Sequence, residues 1–268
     1  MRYLYLFLCL LLTAPCFAVT DTLEGQELTT SANIEGVTTT DTIEGQEIAS
    51  AAFCDSSTAD SCEDFDTGDT ADVAGNTNFD SETDASNKVD IYSNEMRFYA
   101  DTNGVTGDAR ETDCFSSNTE VTVKFILRLD DIVDIDNQEN TIWILRLRDS
   151  DSQVAKLVLV TDAGGDLVSY RCEGNDGAET SAEITMTGVA ADTDYAAYLY
   201  YKEDASVGEV ACKIGSWTEG STGAYDNSAD DGIAFASIGG WFTAWGDGGT
   251  DTHIIFDDFE IFFSDQMP

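Results

Sequence analysis

The sequence has few basic residues. It contains 12 Lys and Arg against 52 Asp and Glu, and its formal net charge is −40 over 268 residues. Such a surface repels the phosphates of nucleic acids and of anionic lipids, so neither class of partner is expected. Dense carboxylates suit a salty or calcium-bearing medium, where cations screen or bind them. The alternative is that the acid excess only keeps the protein soluble.

Histidine occurs once, at His253, and there is no CxxC pair. A zinc site with familiar ligand spacing is therefore not expected. The HExxH, P-loop and GxSxG patterns, which mark metalloproteases, nucleotide-binding proteins and serine hydrolases, are also missing. The sequence offers no common catalytic motif.

Long apolar runs are absent after the first residues. Residues 1–18 begin with Met1 and Arg2, continue as an apolar run and end in Ala-Pro-Cys-Phe-Ala, the layout of a secretory signal peptide cleaved after Ala18. No later run is long enough to span a bilayer. We expect a secreted or extracellular protein without a membrane span, and association with a cell surface is the alternative.

Aromatic residues are missing from residues 19–52, which are rich in Thr, Glu and Gly. Residues 21–28 (DTLEGQEL) return as residues 41–48 (DTIEGQEI). Two copies are too few for a solenoid, so we predict a repetitive extended stalk or linker. Two interpretations stay open: a disordered leader, or repeats that add as strands to the sheet edge of another copy and mediate self-association.

Proline occurs only twice, and residues 53–268 lack an apolar stripe of helical period. They contain instead about ten to twelve short runs of alternating apolar residues, separated by turn residues. Residues 121–129 are the clearest case, with apolar residues at every second position. This pattern predicts one all-β sandwich domain.

In two of the predicted strands the sequence also indicates which face is buried. In residues 143–148 the apolar side chains share one face and the basic side chains share the other, that is, Trp143, Leu145 and Leu147 against Arg146 and Arg148. In the last run Asp257 is in phase with Ile255 and Phe259, so its carboxylate is predicted to point toward the core. There it needs a metal or several hydrogen bonds.

The two ends of the domain carry similar acidic patterns. Residues 256–261 have the form apolar-Asp-Asp-Phe-x-apolar and follow an Ile-Gly-Gly run and a Gly-rich turn, while residues 63–65 read Glu-Asp-Phe. These patterns resemble the concanavalin A-like jelly rolls of the laminin-G and lectin/glucanase kind. The resemblance implies a jelly-roll sandwich of two antiparallel sheets whose first and last strands lie close together.

Calcium is the one cation that this composition favours, because it takes six to eight oxygen ligands. The resemblance directs the search to the space between the first and last strands, where Glu63 or Asp64 could reach Asp257. We therefore predict a structural calcium site formed by these three residues. The alternative for Asp257 is a buried carboxylate capped by backbone N–H groups.

Five cysteines follow the predicted signal peptide, so at least one thiol is free or pairs between molecules. Cys54 and Cys62 bracket a small polar loop and are predicted to form a disulfide. Cys172 and Cys212 lie in phase with apolar residues of their strands and are interpreted as separate buried core cysteines.

Aromatic residues in polar turns suggest carbohydrate binding, because sugar rings stack on aromatic faces and Asp or Asn accepts their hydroxyl hydrogen bonds. The candidate ligand-binding residues are Trp217, Tyr225, Asp226, Asn227, Trp241 and Trp245. Each could instead cap the core. We predict a protein that binds a glycan or polysaccharide, or an extracellular structural or adhesive protein.

The alternative function is a polysaccharide hydrolase or lyase of the same fold. The glucanases that the chain resembles place two Glu and one Asp on a strand, and residues 134–139 (Asp-Ile-Asp-Asn-Gln-Glu) come nearest. Asp134 is one methylene shorter than Glu and would misplace a nucleophile. The basic and aromatic set of alginate-lyase relatives is also incomplete, so no catalytic residue is predicted.

Overall fold

The computed structural model describes residues 42–43, 46–47, 54, 57–66, 68–84, 89–99, 106–112, 114–129, 141–149, 153–162, 166–174, 180–228, 232–242 and 253–268. The chain divides into two compact units, Met1–Ala51 and Ala52–Pro268. The predicted signal peptide lies outside the described residues, and so do most of the predicted stalk and the acidic run at 134–139.

In the first unit, the second copy of the repeat contains two short strands. Strand β1 (Thr42–Ile43) pairs antiparallel with β2 (Gln46–Glu47), with Thr42 opposite Glu47 and Ile43 opposite Gln46. The first copy lies outside the described residues. Self-association through the repeats stays a prediction.

The second unit is a jelly-roll sandwich. Its strands are β3 (Ser61–Glu63), β4 (Ser81–Asp84), β5 (Val89–Tyr92), β6 (Glu95–Tyr99), β7 (Thr106–Glu111), β8 (Glu120–Leu129), β9 (Thr141–Arg148), β10 (Gln153–Thr161), β11 (Leu167–Gly174), β12 (Thr180–Thr185), β13 (Tyr195–Lys202), β14 (Glu209–Ile214), β15 (Gly220–Ser221), β16 (Phe235–Phe242) and β17 (His253–Phe262). One sheet has seven strands in the order β12-β11-β10-β9-β16-β7-β4. The other has eight in the order β15-β14-β13-β8-β17-β6-β5, and β3 pairs with β17. The predicted sandwich of two antiparallel sheets is confirmed.

The inner faces of the two sheets meet in one hydrophobic core. Alternating residues of β8 point into it as predicted, and Val121, Val123, Phe125, Leu127 and Leu129 are each at most 2% exposed. Fully burying such a side chain contributes about 1.5–3 kcal/mol. Among the described residues, no helix is long and apolar enough to cross a membrane.

Strand β17 brings the two ends of the domain together. It pairs with β8 along one edge. Along its other edge it pairs with β6 through residues 253–256 and with β3 through residues 259–261. The expectation that the first and last strands of the domain lie close together is confirmed.

The predicted orientation of Asp257 is wrong because β17 contains a bulge. The register with β8 shifts between Asp257 and Glu260, and Asp258 has a positive φ of 50°. An extra residue in one strand reverses the alternation beyond it. Phe256 therefore faces the core before the bulge and Phe259 faces it afterwards, whereas Asp257 lies on the outer face opposite Ile126.

The prediction that Trp143 shares a face with Leu145 and Leu147 is wrong, because β9 contains a bulge. Leu157 of β10 pairs with Leu145 of β9, but the next residue, Val158, pairs with Trp143. Ile144 is the extra residue, so Trp143 moves to the outer face that carries Arg146. There it packs with Val158 and Val160 in a cluster separate from the main core.

The disulfides were predicted in part. Cys54 and Cys62 are bonded, as expected. Cys172 and Cys212 are buried, but the interpretation as separate core cysteines is wrong, because they bond to each other. Their strands, β11 and β14, belong to different sheets, so this bond ties the two layers together. Within the described residues, Cys114 is the free cysteine.

Candidate functional site

Trp217 lies in the turn after β14. Its indole N–H donates to the carbonyl of Thr187 at 3.3 Å, and its ring lies 5.0 Å from the ring of Tyr195. The side chain is partly buried against the core. These contacts fit the core-capping alternative for Trp217.

Asn227 stabilises the turn between β13 and β14. It is 2% exposed, accepts from the Asp204 N–H at 2.7 Å and donates to the Lys202 carbonyl at 2.8 Å. Its side chain packs against Gly208, where a Cβ would lie 2.0 Å from the amide oxygen. The amide is thus used within the fold.

The two residues before Asn227 differ in exposure. Tyr225 is partly buried against the core, and its backbone bridges to Gly208. Asp226 is exposed and accepts from the N–H and hydroxyl of Ser228 at 3.1 and 2.7 Å, and these hydrogen bonds lower its pKa. The carboxylate of Asp226 is the accessible group of this triplet.

The remaining predicted tryptophans lie elsewhere. Trp241 is in β16 of the seven-stranded sheet, where its backbone pairs with Thr106 and Trp143. Trp245 lies outside the described residues. The structure therefore brings Trp217 and the 225–227 segment to the β14 side of the eight-stranded sheet and places Trp241 in the other sheet.

The predicted calcium ligands do not converge in the described residues. Glu63 is 5% exposed, faces the core side opposite Phe259, and accepts from the N–H groups of Phe65 and Asn78 at 2.7 and 2.6 Å. Burial raises its pKa. Asp64 accepts from the Asp66 N–H at 3.3 Å.

Asp257 lies on the opposite face of the eight-stranded sheet from Glu63. Burial, followed by the negative charge of Asp258, raises the pKa of Asp257 to about 7, although the Asp258 N–H donates to it at 2.9 Å. Among the described residues, no group of three or more His, Cys, Asp or Glu could hold a metal ion. Calcium binding stays a prediction.

The structure instead gathers basic residues on the outer face of the seven-stranded sheet. Five of the 12 Lys and Arg project there, namely Arg110, Arg146, Arg148, Lys156 and Arg171. We call this surface the arginine face. It includes the acidic residues that form ion pairs with them, Asp108, Glu173 and Glu183.

One row of the arginine face crosses four adjacent strands. Lys156 pairs with Arg146, Arg146 with Ser237, and Ser237 with Arg110, so these side chains follow one another across β10, β9, β16 and β7. Neighbouring strands lie about 4.8 Å apart, which makes the row about 14 Å long. It forms an extended polar track perpendicular to the strands.

Asp108 is buried beside this row and forms ion pairs with two of its arginines. It is 0% exposed and accepts from Arg146 at 2.8 Å and from Arg110 at 3.1 Å. Burial, together with the positive charges of Arg148 and Arg110, lowers the pKa of Arg146 to about 10, and Asp108 opposes this shift. Arg146 therefore stays protonated at neutral pH, and Asp108 fixes its orientation.

Aromatic rings support the guanidinium groups. The Arg146 guanidinium carbon lies 3.5 Å from the ring centroid of Trp143. Those of Arg148 and Arg110 lie 5.2 and 5.8 Å from the ring of Phe235. Cation–π contacts of this kind contribute about 0.5–2 kcal/mol each. They hold the guanidinium planes in fixed positions.

Three donors on the arginine face have no hydrogen-bond partner in the described part of the chain. They are Nε of Arg146, Nε of Arg148 and the hydroxyl of Ser237, all buried. A buried polar group without a partner costs about 1–3 kcal/mol. Because all three atoms are buried, they make this face costlier to fold and add nothing to its exposed surface.

Arg110 and Arg171 remain partly exposed on the arginine face, whereas Glu173 is buried. Glu173 accepts from Lys156 at 2.6 Å and from Arg171 at 2.5 Å. The side chains of Arg110 and Arg171 are 30% and 25% exposed. In the described part of the chain, five cations on this face are accompanied by three ion-paired carboxylates, a local positive excess on a protein of net charge −40.

The sequence contains a pattern that indicates this surface, but its residues were not among the predicted ligand-binding residues. Basic residues are scarce, yet two of them, Arg146 and Arg148, share one face of a single run. Their strand neighbours could not be known without the pairing of β9 with β10 and β16. The bulge that adds Trp143 to this face leaves no pattern in the sequence.

No family model matches the sequence, and no curated protein matches it. Among solved structures, the alginate lyase from Klebsiella pneumoniae has a TM-score of 0.47 and 12% identity, covering 65% of this chain and 82% of that one. The CBM2 module of the evolved Dit of Lactobacillus casei BL23 phage J-1 has a TM-score of 0.45 and 13% identity, covering 65% and 77%. The botulinum neurotoxin serotype C1 binding domain has a TM-score of 0.46 and 11% identity, covering 70% and 44%. These low similarities do not assign the chain to a family.

Proposed function

We propose that this protein is an exported carbohydrate-binding protein and that the arginine face binds an acidic polysaccharide. The observation that carries the proposal is the gathering of five basic side chains, with Trp143 and Phe235, on one face of a protein whose net charge is −40. A polyanion would be repelled by most of this surface, so a local positive track decides where it can bind.

The geometry of the track favours a polymer over a small anion. Guanidinium groups bind carboxylate or sulfate groups through two parallel N–H donors. Here the guanidinium groups of Arg146 and Arg110 lie in one row with the ammonium group of Lys156, and the row is about 14 Å long across four strands. Successive charged groups along an extended chain match this spacing better than a single compact anion does.

The aromatic component favours a sugar backbone. Carbohydrate sites combine flat apolar faces with a few polar groups of fixed direction. Phe235 is partly exposed between the guanidinium groups of Arg110 and Arg148, which supply polar groups beside its ring. Two disulfides, at Cys54–Cys62 and Cys172–Cys212, are compatible with an oxidising extracellular compartment.

The alternative function, cleavage of the polysaccharide by hydrolysis or elimination, requires an accessible acid or base. Asp108, Glu173 and Glu183 are all ion-paired with arginine or lysine. The single histidine, His253, belongs to β17 of the other sheet. These placements favour binding over cleavage.

The test is binding of the mature chain to a polyuronate, a sulfated galactan and a neutral glucan of similar length. We expect an acidic polymer to bind, and Arg148→Gln to weaken this binding by roughly tenfold, because a charged hydrogen bond is lost. Lys213→Gln is the matched control, since it removes one positive charge from the outer face of the other sheet.

The same samples separate binding from cleavage. We expect no release of reducing ends and no unsaturated uronate product during long incubation. Equal binding by the two variants, or binding of the neutral glucan alone, would show that the arginine face is not the site. Product formation that Arg148→Gln abolishes would favour the lyase or hydrolase.

A further inference from the structure

A separate pocket opens on the outer face of the eight-stranded sheet. Its volume is about 270 Å³, and it is lined by Tyr92, Ser93, Glu95, Arg97, Arg128 and Ile255. Pockets for small molecules usually measure about 300–1,000 Å³. This one therefore suits a single ring-sized unit. It lies on strands β5, β6, β8 and β17, none of which contributes to the arginine face.

Tyr92 provides an exposed aromatic ring at this pocket. It is 50% exposed, and Val207 at 48% is the other large hydrophobic side chain exposed in the described residues. The Arg97 guanidinium carbon lies 4.1 Å from the ring centroid. Arg97 thus fixes the ring by covering one of its faces, and the exposed remainder can stack on a ligand.

The hairpin that carries Tyr92 is held in place before any ligand binds. Ser93 and Asn94 form its turn with positive φ values of 55° and 63°. The Ser93 N–H donates to Asp69 at 2.7 Å, and the Asn94 amide donates to Asp66 at 2.6 Å. Since the turn is already ordered, binding costs little further conformational entropy.

Carboxylates outnumber arginines around the pocket, unlike on the arginine face. Arg97 donates to both carboxylate oxygens of Asp90, at 2.9 and 2.7 Å. Arg128 is bonded to Glu95, and to Asp194 at 3.2 Å. With two arginines against three carboxylates, the pocket has no positive excess with which to attract an anion.

Paired guanidinium and carboxylate groups offer donors and acceptors side by side. A hydroxyl group both donates and accepts, so a neutral ring with several hydroxyl groups can use both. The apolar surface of Tyr92 and Ile255 suits the C–H face of such a ring. We propose that this pocket is a second binding site, independent of the arginine face, that takes one neutral saccharide unit.

The test uses the mature chain titrated with neutral tetrasaccharides of glucan, galactan, mannan and xylan, followed by NMR. At least one should bind and shift the amide signals of residues 92–97. Tyr92→Ala should weaken this binding by roughly tenfold through loss of the stacking face. Tyr92→Phe should retain it, because the ring remains.

The controls separate this site from other sites and from misfolding. Val207→Ala removes an equally exposed apolar side chain and should bind like the wild type. Tyr92→Leu, with an apolar side chain but no flat ring, should bind like Tyr92→Ala while melting like the wild type. Failure of all four sugars to bind, unchanged binding by Tyr92→Ala, or loss of the same binding in Arg148→Gln would overturn the proposal.

Discussion

The two outer faces of the sandwich have the same number of cations but different net charges. Among the described residues, each face carries five Lys and Arg, and on the eight-stranded sheet these are Arg97, Lys124, Arg128, Lys202 and Lys213. There, Asp90, Glu95, Asp194 and Glu260 form ion pairs, and Asp257 lies nearby. On the arginine face, the ion pairs seen in the described residues involve three carboxylates, those of Asp108, Glu173 and Glu183. In so acidic a protein, the placement of the acids decides which face attracts a polyanion.

The ion pairs of the two faces also differ in burial. Removing one acid from each face tests this difference, and we expect the largest loss of stability in this comparison. Asp108 is fully buried between two arginines, whereas the side chain of Asp90, paired with Arg97, is 22% exposed. Asp108→Asn should lower the free energy of unfolding by about 3–5 kcal/mol, because it leaves a buried guanidinium uncompensated. Asp90→Asn should cost roughly 1 kcal/mol or less.

Urea unfolding of both variants provides the measurement. Similar losses for the two variants would contradict the difference in burial between the two faces. A shift confined to Asp108→Asn would show that the arginine face is fixed by a desolvated ion pair.

The next test concerns the Cys172–Cys212 disulfide, because it links the two sheets whose outer faces are compared. The Cys172–Cys212 disulfide closes a loop of 40 residues, so replacing both cysteines by alanine should cost about 4 kcal/mol of stability. The Cys54–Cys62 disulfide closes a loop of only 8 residues, and its removal should cost about 2.5 kcal/mol. Thermal unfolding with matched double variants checks the order, and a larger loss for the short loop would contradict it.

A further comparison concerns Asp257, which lies near the pocket lined by Tyr92 and Arg128. Its folded pKa is raised to about 7 from an ordinary value of 3.8. Between these pH values the unfolded chain releases a proton that the folded chain keeps, so stability should fall as pH rises from about 4 to 7. Asp257→Asn removes this penalty and should melt higher than the wild type at pH 8, but not at pH 4, in the presence of a chelator.

The same variant tests the predicted calcium site. A cation that binds only the folded state raises the melting temperature by mass action. If Asp257 is a ligand, calcium should raise the melting temperature of the wild type at pH 8 and leave Asp257→Asn unchanged. Equal melting of the wild type in calcium and in chelator would contradict the calcium site.

The fold could be predicted from sequence because alternation is a property of each strand alone. Runs such as 121–129 show a buried and an exposed face without knowledge of their neighbours. The resemblance to concanavalin A-like jelly rolls implied that the first and last strands of the domain, β3 and β17, lie together. The functional surface could not be predicted in the same way. The arginine face depends on which strands pair and on the bulge at Ile144. The outward position of Asp257 in the other sheet depends in the same way on the bulge at Asp257–Asp258, and each bulge shifts the alternation by one residue.

The disulfide between the sheets illustrates the same limit. The phase of Cys172 and Cys212 correctly indicated that both are buried, but two inward cysteines from different sheets meet only if their strands face each other. Conversely, Asn227 and Trp217 looked like ligand-binding residues because polar turns surround them. In the structure the Asn227 side chain bonds to the backbone of Lys202 and Asp204, and the Trp217 indole bonds to the backbone of Thr187.

An NMR titration of the mature chain with a short polyuronate tests most directly whether the arginine face binds an acidic polysaccharide. Backbone amide shifts are followed at low and high salt. We expect shifts that cluster in β7, β9, β10 and β16 around Arg110, Arg146 and Ser237. These shifts should shrink as salt screens the charges. Strands β5, β6 and β17 should remain unchanged. Shifts confined to the eight-stranded sheet, or no shifts at either salt concentration, would contradict the assignment of the arginine face as the polysaccharide-binding surface.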